Sequence, residues 1–528
     1  MGRSRMIVLS AMGLAGAACP APAAQTAVPV DSSTFVVAQS SGSDVRVPVP
    51  LDIFVRAAVD RNLTFLASEA SLGTARYNAK AARTAFDPTF NAGYQQNRND
   101  QQYVFSPGAG SGALVTTQNT TLSAGISKNT SIGTNLSLTA QTQRNSQVPP
   151  VQQSYSLDYV SNLTLTLTQP LLQGGGRAAA YAAARIAELG GAAALATAQR
   201  TLESVIAETE GSYWALRLQE RNEDTALRSL QLAEEMLRRN QKLNQLKLIS
   251  DHDVLTAEEG VENRRVTYLG AVHARQDAAD DLVFLAYGEA VREKLKDEHF
   301  EVRTATAAEV SVPPVPDLEA AVSQALAARA DVVAARRNVE AADASLAAAA
   351  NGLLPQLNVT GSIGRGGTDV SGAPGARGDS IDGVVGNRDR AWSVGTNFAI
   401  PIGNRPQRAK YDSALETREQ ARLALASAEN AVRVDVRKAM RAVQTEAVRY
   451  RVAQHAADVS WRQFRQEQER LRLGLEDSFR VLQAQDLAFG AEVTLESVRY
   501  NLAVAVTNFR LALGTIAAGY MQNLRDFK

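Results

Sequence analysis

Apolar residues recur along Gln407–Leu473 at Leu425, Ala428, Val432, Val436, Ala439, Val443, Ala447 and Tyr450, in steps of 3-4-4-3-4-4-3. Steps of three and four keep side chains on one face of an α-helix. The 11-residue period gives a nearly straight or slightly right-handed bundle rather than a left-handed coiled coil. The stretch contains neither glycine nor proline, the two residues that most destabilise a helix interior. It therefore predicts one helix roughly 100 Å long. Val434, Val448 and Val452 lie off the seam and many positions are alanine, so neighbours are expected on two sides. Taken alone, the pattern also suits a solvent-exposed coiled coil.

A period of two replaces this pattern between Gln101 and Pro170. Leu122, Ala124 and Ile126 alternate with polar residues, as do Ile132, Leu136, Leu138 and Ala140, and Leu163, Leu165 and Leu167. These are strands with one apolar and one polar face. The only charges in the region are Lys128, Arg144 and Asp158. A soluble sandwich usually carries Lys and Glu on its wet face, so strands beside lipid explain the scarcity of charge better.

The remaining helices follow from the same reading. One runs from Leu51 to Ala85 and stops at Asp87-Pro88, because a residue preceding proline is pushed out of the helical region. A second runs from Ala178 to about Leu246, with Gly190-Gly191 as its weak point, and a third from Val254 to about Tyr287. Residues 289–316 read as a mixed linker. Leu318 then opens a helical segment ending at Leu354-Pro355, and an uncharged strand follows at Trp392, Val394, Thr396, Phe398 and Ile400.

These elements repeat. Leu51 to Pro88 and Leu318 to Pro355 are both separations of 37 (88 − 51 and 355 − 318). Pro88-Thr89-Phe90-Asn91 matches Pro355-Gln356-Leu357-Asn358, Asp253-Val254-Leu255-Thr256-Ala257 matches Arg480-Val481-Leu482-Gln483-Ala484, and Gly288 matches Gly514. The offset is 267 at the first prolines (355 − 88), 231 at the second (401 − 170) and 227 at the Val-Leu pair (481 − 254). The copies thus differ mainly by 36 residues (267 − 231) in the first strand region. Such self-similarity marks an internal duplication of helix, strands, long helix, turn and helix.

Composition narrows the class. Lys+Arg and Asp+Glu balance at 55 each, leaving no net field for nucleic acid or an acidic surface. Arg3 and Arg5, the apolar run Met6–Ala18 and Ala21-Pro22-Ala23 form an export signal over 1–24, followed by a polar lead segment over 25–47. The one cysteine, Cys19, excludes a disulfide framework and offers lipid attachment as an alternative to removal with the signal. No run of about 20 apolar residues follows, so no transmembrane helix is expected.

In this order of parts the chain resembles the outer membrane efflux protein family, the TolC-like channel-tunnels, over nearly all of Leu51–Gly514. The resemblance rests on the duplication, on Gln169-Pro170-Leu171-Leu172 before a Gly-Arg helix start, and on Leu248-Ile249-Ser250-Asp251-His252-Asp253-Val254-Leu255. The last is the family's turn motif at the far end of the long hairpin, usually opened by Gly-Leu. The second copy keeps that opening as Gly474-Leu475, while the first has Lys247 in place of the glycine.

The resemblance implies a mainly α fold with membrane strands. Duplicated helical hairpins build a trimeric tunnel in the periplasm, joined to a short β-barrel in the outer membrane. It implies four membrane strands per chain, two from each repeat, and the 36 extra residues are then expected to make Leu122–Ala140 a hairpin extending the first pair on the outer face. The domain division is then 48–316 and 317–514 as two repeats, with a tail at 515–528. The implied function is a passive outer membrane conduit of a tripartite efflux or type I secretion system. Its implied partners are a periplasmic adaptor and an inner-membrane pump of RND, ABC or MFS type. Lys247, Leu248, Gly474 and Leu475 would meet the adaptor. Asp251, Asp253, Glu476, Asp477 and Arg480 would form the periplasmic gate, a different charge set from the Arg and Asp that close relatives of the prototype carry in the second turn.

Other chemistry is weaker. Gln173-Gly174-Gly175-Gly176-Arg177 follows a strand as a phosphate loop does but lacks the Lys-Ser/Thr pair, and reads as a strand-to-helix exit. Asp251-His252-Asp253 could hold a metal, yet His273, His299 and His455 are not at ligand spacing, and a gate or solvated turn fits better. No nucleophile–base constellation stands out, so no enzyme activity and no cofactor are expected. A structural coiled-coil protein without channel activity is the alternative, and it leaves the uncharged strands unexplained.

Overall fold

A computed structural model describes residues 48–103, 113–148, 157–291, 302–305, 310–314, 316–369, 376–386, 389–473, 475 and 478–520. The export signal, Cys19 and the lead segment lie outside these residues, as do Gly474, Glu476 and Asp477 and the tail beyond Tyr520. The described elements, in order, are β1 (Pro48–Val49), α1 (Leu51–Arg61), α2 (Leu63–Arg83), β2 (Thr89–Tyr103), β3 (Ala113–Asn129), β4 (Asn135–Val148) and β5 (Leu157–Pro170). One helical turn (Arg177–Ala180) leads into α3 (Ala182–Gln245), α4 (Asp251–Tyr287) and β6 (Arg303–Thr304). Then come α5 (Leu318–Ala328), α6 (Ala330–Asn351), β7 (Gln356–Asp369), α7 (Ala376–Val385), β8 (Asp389–Ala399), α8 (Arg405–Arg472) and α9 (Ser478–Leu513).

The helix α8 is unbroken over 68 residues, about 100 Å at 1.5 Å per residue. Val432, Val436 and Val443 of its seam are fully buried, with Leu425, Ala439, Ala447 and Tyr450 packed beside them. The seam faces α5, α6 and α9, whose Ala321, Ala325, Val332, Leu502, Val506 and Phe509 complete the cluster. Off the seam, Val434, Val448 and Val452 are exposed within one chain. Helix α3 runs 64 residues straight through Gly190-Gly191. A Cβ at Gly191 would meet Ala75 O and Ala79 Cβ at ordinary contact distance, so α2 packs against this point without depending on the glycine, and the helix continues through it.

Two of the predicted helices are pairs. Leu51–Ala85 divides at Asn62, whose side chain accepts from the N–H groups of Thr64 and Phe65 and so starts α2. Leu318–Leu354 divides at Arg329. Both breaks turn the short helices onto the ends of the long hairpins. Val55, Ala58, Val59 and Phe65 there pack with Leu202, Val205 and Ile206 of α3 and with Ile516 and Ala517.

The strand count departs from the four expected. All six long strands form one antiparallel sheet in the order β2-β3-β4-β5-β7-β8. The hairpin around Leu122–Ala140 is not an outward extension. Its connection, residues 130–134, lies at the helical end of the sheet. There Gly176 N–H donates to Ile132 O at 3.0 Å, and a Cβ at Gly133 (φ 93°) would overlap Gly174 O. The physical reason is register: the alternation of β3 and β4 is in phase with their neighbours, so both strands run the sheet's full height. Ile132, read as strand, belongs to this turn. The Gly174–Gly176 segment is a packing knot. Its Gly174 N–H donates to Asn351 Oδ1 at 2.7 Å, tying the end of α6 to the exit of β5.

Candidate functional site: the two-faced sheet and the helical turns

The sheet separates its side chains into two chemically distinct faces. One level across all six strands reads Phe90, Ile126, Leu138, Leu165, Ile363 and Trp392. The adjacent level on the opposite face reads Thr89, Ser127, Ser137, Thr166, Ser362 and Ser393. Hydroxyl pairs cross that second face, with Ser362 Oγ and Ser393 Oγ 2.7 Å apart and Thr168 Oγ1 and Thr360 Oγ1 3.3 Å apart. On the apolar face Phe90, Leu136, Leu165, Leu167, Ile363, Trp392 and Val394 are exposed. Between the levels of Leu357–Phe398 and of Tyr94–Leu122 the strands advance ten residues, about 33 Å at 3.3 Å per residue, or about 25 Å for strands tilted near 40°. That is the height of the apolar band of an outer membrane barrel.

The terminal strands of this sheet, β2 and β8, each pair on one side only among the described residues. Phe90, Tyr94, Trp392 and Phe398 stand exposed on these two edge strands. Helix α7 lies across the apolar face at its end remote from the long helices. Ser161 Oγ and Ser380 Oγ are 2.8 Å apart and both buried, and a Cβ at Gly367 would overlap the Ser380 carbonyl. Sequence reading missed α7, which lies between the second repeat's two strands; a short helix with Gly378 and Gly383 carries little periodic signal.

At the opposite end of the molecule, α3 and α8 finish in matching turns. Leu248 N–H donates to Leu243 O and Leu475 N–H to Arg470 O, both at 2.9 Å, the six-to-one bond of a Schellman motif. Lys247 takes the left-handed position of that motif with φ 58°. Leu248 and Leu475 are each 67% exposed. Of the expected gate acids, Asp251 accepts from Asn244 Nδ2 at 2.9 Å. Asp253 closes a capping box with Ser250: the Ser250 N–H and hydroxyl donate to Asp253 Oδ2 at 3.0 and 2.8 Å, and Asp253 N–H donates to Ser250 Oγ at 3.3 Å. The Ser250 bonds, with a smaller contribution from His252, hold the Asp253 carboxyl below the ordinary carboxylate range. Arg480 is the third residue of α9.

Between the two ends, β1 and β6 form a two-residue parallel clip held against α3. Thr304 N–H donates to Glu220 Oε1 at 2.8 Å and its hydroxyl donates to Glu220 Oε2, while Arg217 donates to Ala305 O at 2.7 Å. Burial pushes the Glu220 carboxyl up despite these donors. Glu223 accepts from Arg303 at 3.0 Å and forms an ion pair with Arg275 at 2.8 Å.

Residues 321–515 match the family model described as outer membrane efflux protein. None of the curated proteins matches. Among solved structures, the fold resembles the Campylobacter jejuni CmeC outer membrane channel (16% identity, 90% of this chain and 88% of that chain, TM-score 0.64). It also resembles the open state of the Neisseria gonorrhoeae MtrE outer membrane channel (18%, 90% and 93%, TM-score 0.61). A third similar structure is the Vibrio cholerae outer membrane protein VceC (16%, 88% and 96%, TM-score 0.60).

Proposed function

We propose that the chain is a member of the outer membrane efflux protein family, whose model its residues 321–515 match, and that it is the outer membrane channel of a tripartite efflux or type I secretion assembly. The family implies a trimer. The observation that carries the reading is the six-stranded sheet with one apolar face, one hydroxyl face and, among the described residues, two unpaired edges. An open edge cannot stand in lipid, where every backbone group needs a partner. Pairing β8 of one chain with β2 of the next satisfies both edges, turning the apolar face to lipid and the hydroxyl face to a wet lumen.

Three chains of six strands (3 × 6) make a barrel of 18. At 4.8 Å strand spacing and about 40° tilt its backbone diameter is about 36 Å, against about 24 Å for 12 strands. Barrels of 16–18 strands leave an aqueous channel. The exposed Val434, Val448 and Val452 on α8 are the surface that a neighbouring chain's helices would cover, continuing the barrel as a periplasmic tunnel.

The turns at the tunnel's far end carry the rest of the proposal. Lys247, Leu248, Gly474 and Leu475 meet a periplasmic adaptor, which links the channel to an inner-membrane pump. Asp251, Asp253, Glu476, Asp477 and Arg480, repeated three times around one axis, form the gate. The domain division follows the same reading: a removed signal over 1–24, a lead segment over 25–47, repeats over 48–316 and 317–514, and a tail. No catalytic step is assigned to any residue. The test is conduction: the purified protein should migrate as a heat-modifiable trimer and open ohmic channels in planar bilayers. A protein that stays in the soluble periplasmic fraction and never conducts would be the structural coiled coil instead.

A further inference from the structure

Two arginines interrupt the apolar face. Arg365 of β7 and Arg390 of β8 are directly opposite in the strand register, at the level of Ala92, Ala124, Ala140 and Leu163. Both are exposed, and neither makes an ion pair or side-chain hydrogen bond among the described residues. Like charges opposite one another across a strand pair repel, and a cation facing hydrocarbon is costly. The neighbouring carboxylates do not relieve them. Asp389 alternates to the hydroxyl face opposite Gly366, and Asp369 lies on the far side of Gly367, where α7 crosses the sheet. Asp379 and Asp382 of α7 are exposed.

The surroundings show what the pair suits. Beneath it, toward the long helices, a groove of about 440 Å³ is walled by Leu138, Leu163, Leu165, Ile363 and Trp392, with both arginines at its upper end. Above it, α7 packs on Ser161 and Gly367. Cations at the top of an apolar groove, in the half of the band remote from the periplasmic helices, match an acyl chain that hangs below an anionic headgroup. Guanidinium groups bind phosphate oxygens in a bidentate fork, and two side by side make a site for one phosphate.

We propose that Arg365 and Arg390 bind the phosphate of an acylated glycolipid in the outer leaflet, with one acyl chain in the Leu163–Leu165–Ile363–Trp392 groove. The proposal rests on the reading of this face as lipid-facing. The lipid neutralises a charge pair that the chain leaves uncompensated and fixes the β7–β8 edge of each subunit beside the seam with the next.

The experiment uses the full-length protein from outer membranes, stripped with detergent and re-supplied with one probe at a time. The probes are bisphosphorylated lipid A, the same lipid with its phosphates removed, and inorganic phosphate. Native mass spectrometry and thermal melting are the readouts. Lipid A should remain bound and raise the melting temperature, while dephosphorylated lipid and inorganic phosphate should do neither. The pair Arg365→Gln with Arg390→Gln should lower lipid A retention by about tenfold or more, as loss of charge-assisted bonds requires. Arg144→Gln, on the same face two levels further out, should leave it unchanged. Equal retention of the dephosphorylated lipid, equal stabilisation by inorganic phosphate, or full retention by the double variant would each overturn the site. The two forms of lipid compared on the unaltered protein decide the matter even if the double variant misfolds. Conductance of the unaltered channel in planar bilayers, measured in parallel, reports separately on whether the chain forms a pore at all.

Discussion

Asn62 and Arg329, separated by 267 residues (329 − 62), hold the same backbone conformation: φ −64° and ψ 123° at one, φ −66° and ψ 126° at the other. Each ends one short helix and begins the next, and each N–H reaches back to an alanine carbonyl, Ala58 O at 2.8 Å and Ala325 O at 2.9 Å. A positive-φ glycine sits on each break. A Cβ at Gly288 would overlap Arg61 O, and one at Gly514 would lie 3.3 Å from Ala328 C and Arg329 Cα. The geometry is shared while the chemistry differs. Asn62 caps α2 with its own amide oxygen. Arg329 is nearly buried and bridges Asp331, through Nη2–Oδ2 at 2.6 Å, and Asp435 at 2.9 Å, while Asp331 accepts the Val332 N–H at 3.0 Å.

The two breaks should therefore respond differently to acid. Asn62→Ala removes a cap and should cost about 1 kcal/mol at any pH. Burial alone would raise the Asp331 carboxyl, but the hydrogen bonds and charge of Arg329 outweigh it and hold the group below its ordinary value. A depressed carboxylate contributes stability above its unfolded pKa, about 3.9, and loses it as pH falls through the folded value. Thermal melting of the detergent-solubilised protein should show Asp331→Asn destabilised at pH 7, with the gap from wild type closing below pH 4. A gap that persists unchanged into acid would show that the pair is not what stabilises this break.

Lys247 should be a strained residue. A non-glycine side chain at φ 58° costs about 1–2 kcal/mol relative to the right-handed region, and the equivalent position in the second turn is Gly474 (247 + 227). Lys247→Gly is expected to raise the stability of the α3–α4 turn by about 1 kcal/mol, read as slower amide hydrogen exchange over residues 243–253. Faster exchange there would mean that the lysine side chain, not the backbone, holds the turn.

The equal exposure of Leu248 and Leu475 gives the adaptor proposal its sharpest form. Replacing both with Asp should abolish substrate efflux in cells and leave the heat-modifiable trimer and bilayer conductance intact. Unchanged efflux would remove the leucines from the contact.

The six strands make a prediction about pore width. β2 and β5 run in opposite directions, so excising residues 113–148 leaves two strands that can still pair antiparallel, Phe90 facing the same side as Leu165. Three such chains would close 12 strands (3 × 4). Single-channel conductance limited by the barrel should fall, and the trimer should persist. A variant with undiminished conductance would place the narrowest point elsewhere, in the helical tunnel or its gate.

Where the sequence was legible, the signal was periodic and long. The seam of α8 lies on the buried face residue by residue, because only a step of three or four keeps Val432, Val436 and Val443 together. The breaks at Asn62 and Arg329 were not legible, because neither is a glycine or proline and the alanine-rich flanks continue the helical period across them. The strand count departs from the family's pattern because the chain's own alternation runs through more strands than that pattern holds. The repeated alternation on both sides of residues 130–134 already described two full-height strands. Arg365 and Arg390 become a pair only when the register of β7 and β8 is known, since 25 residues of sequence separate them.

The gate at the helical turns is the remaining test, and the cap geometry changes how it must be run. Asp253 is bonded to Ser250 at the start of α4, so Asp253→Asn alters both a charge and a helix cap. Among the described residues Asp251 accepts one turn bond, from Asn244, and Asp251→Asn changes charge while keeping a side chain that can still accept. Three copies of each acid around one axis repel at close range, the more so where the tube is narrow. Exposed ion pairs are worth only about 0–1 kcal/mol each, so a latch made by Arg480 must gain from threefold repetition. In planar bilayers, Arg480→Ala should raise the open fraction, and Asp251→Asn should weaken cation preference without changing the open fraction. Asp253→Asn should weaken the preference to a similar degree and in addition increase open-state noise as the cap loosens. If all three variants match the parent in open fraction and in reversal potential under a salt gradient, these charges are a solvated turn and closure must come from the packing of the helices themselves.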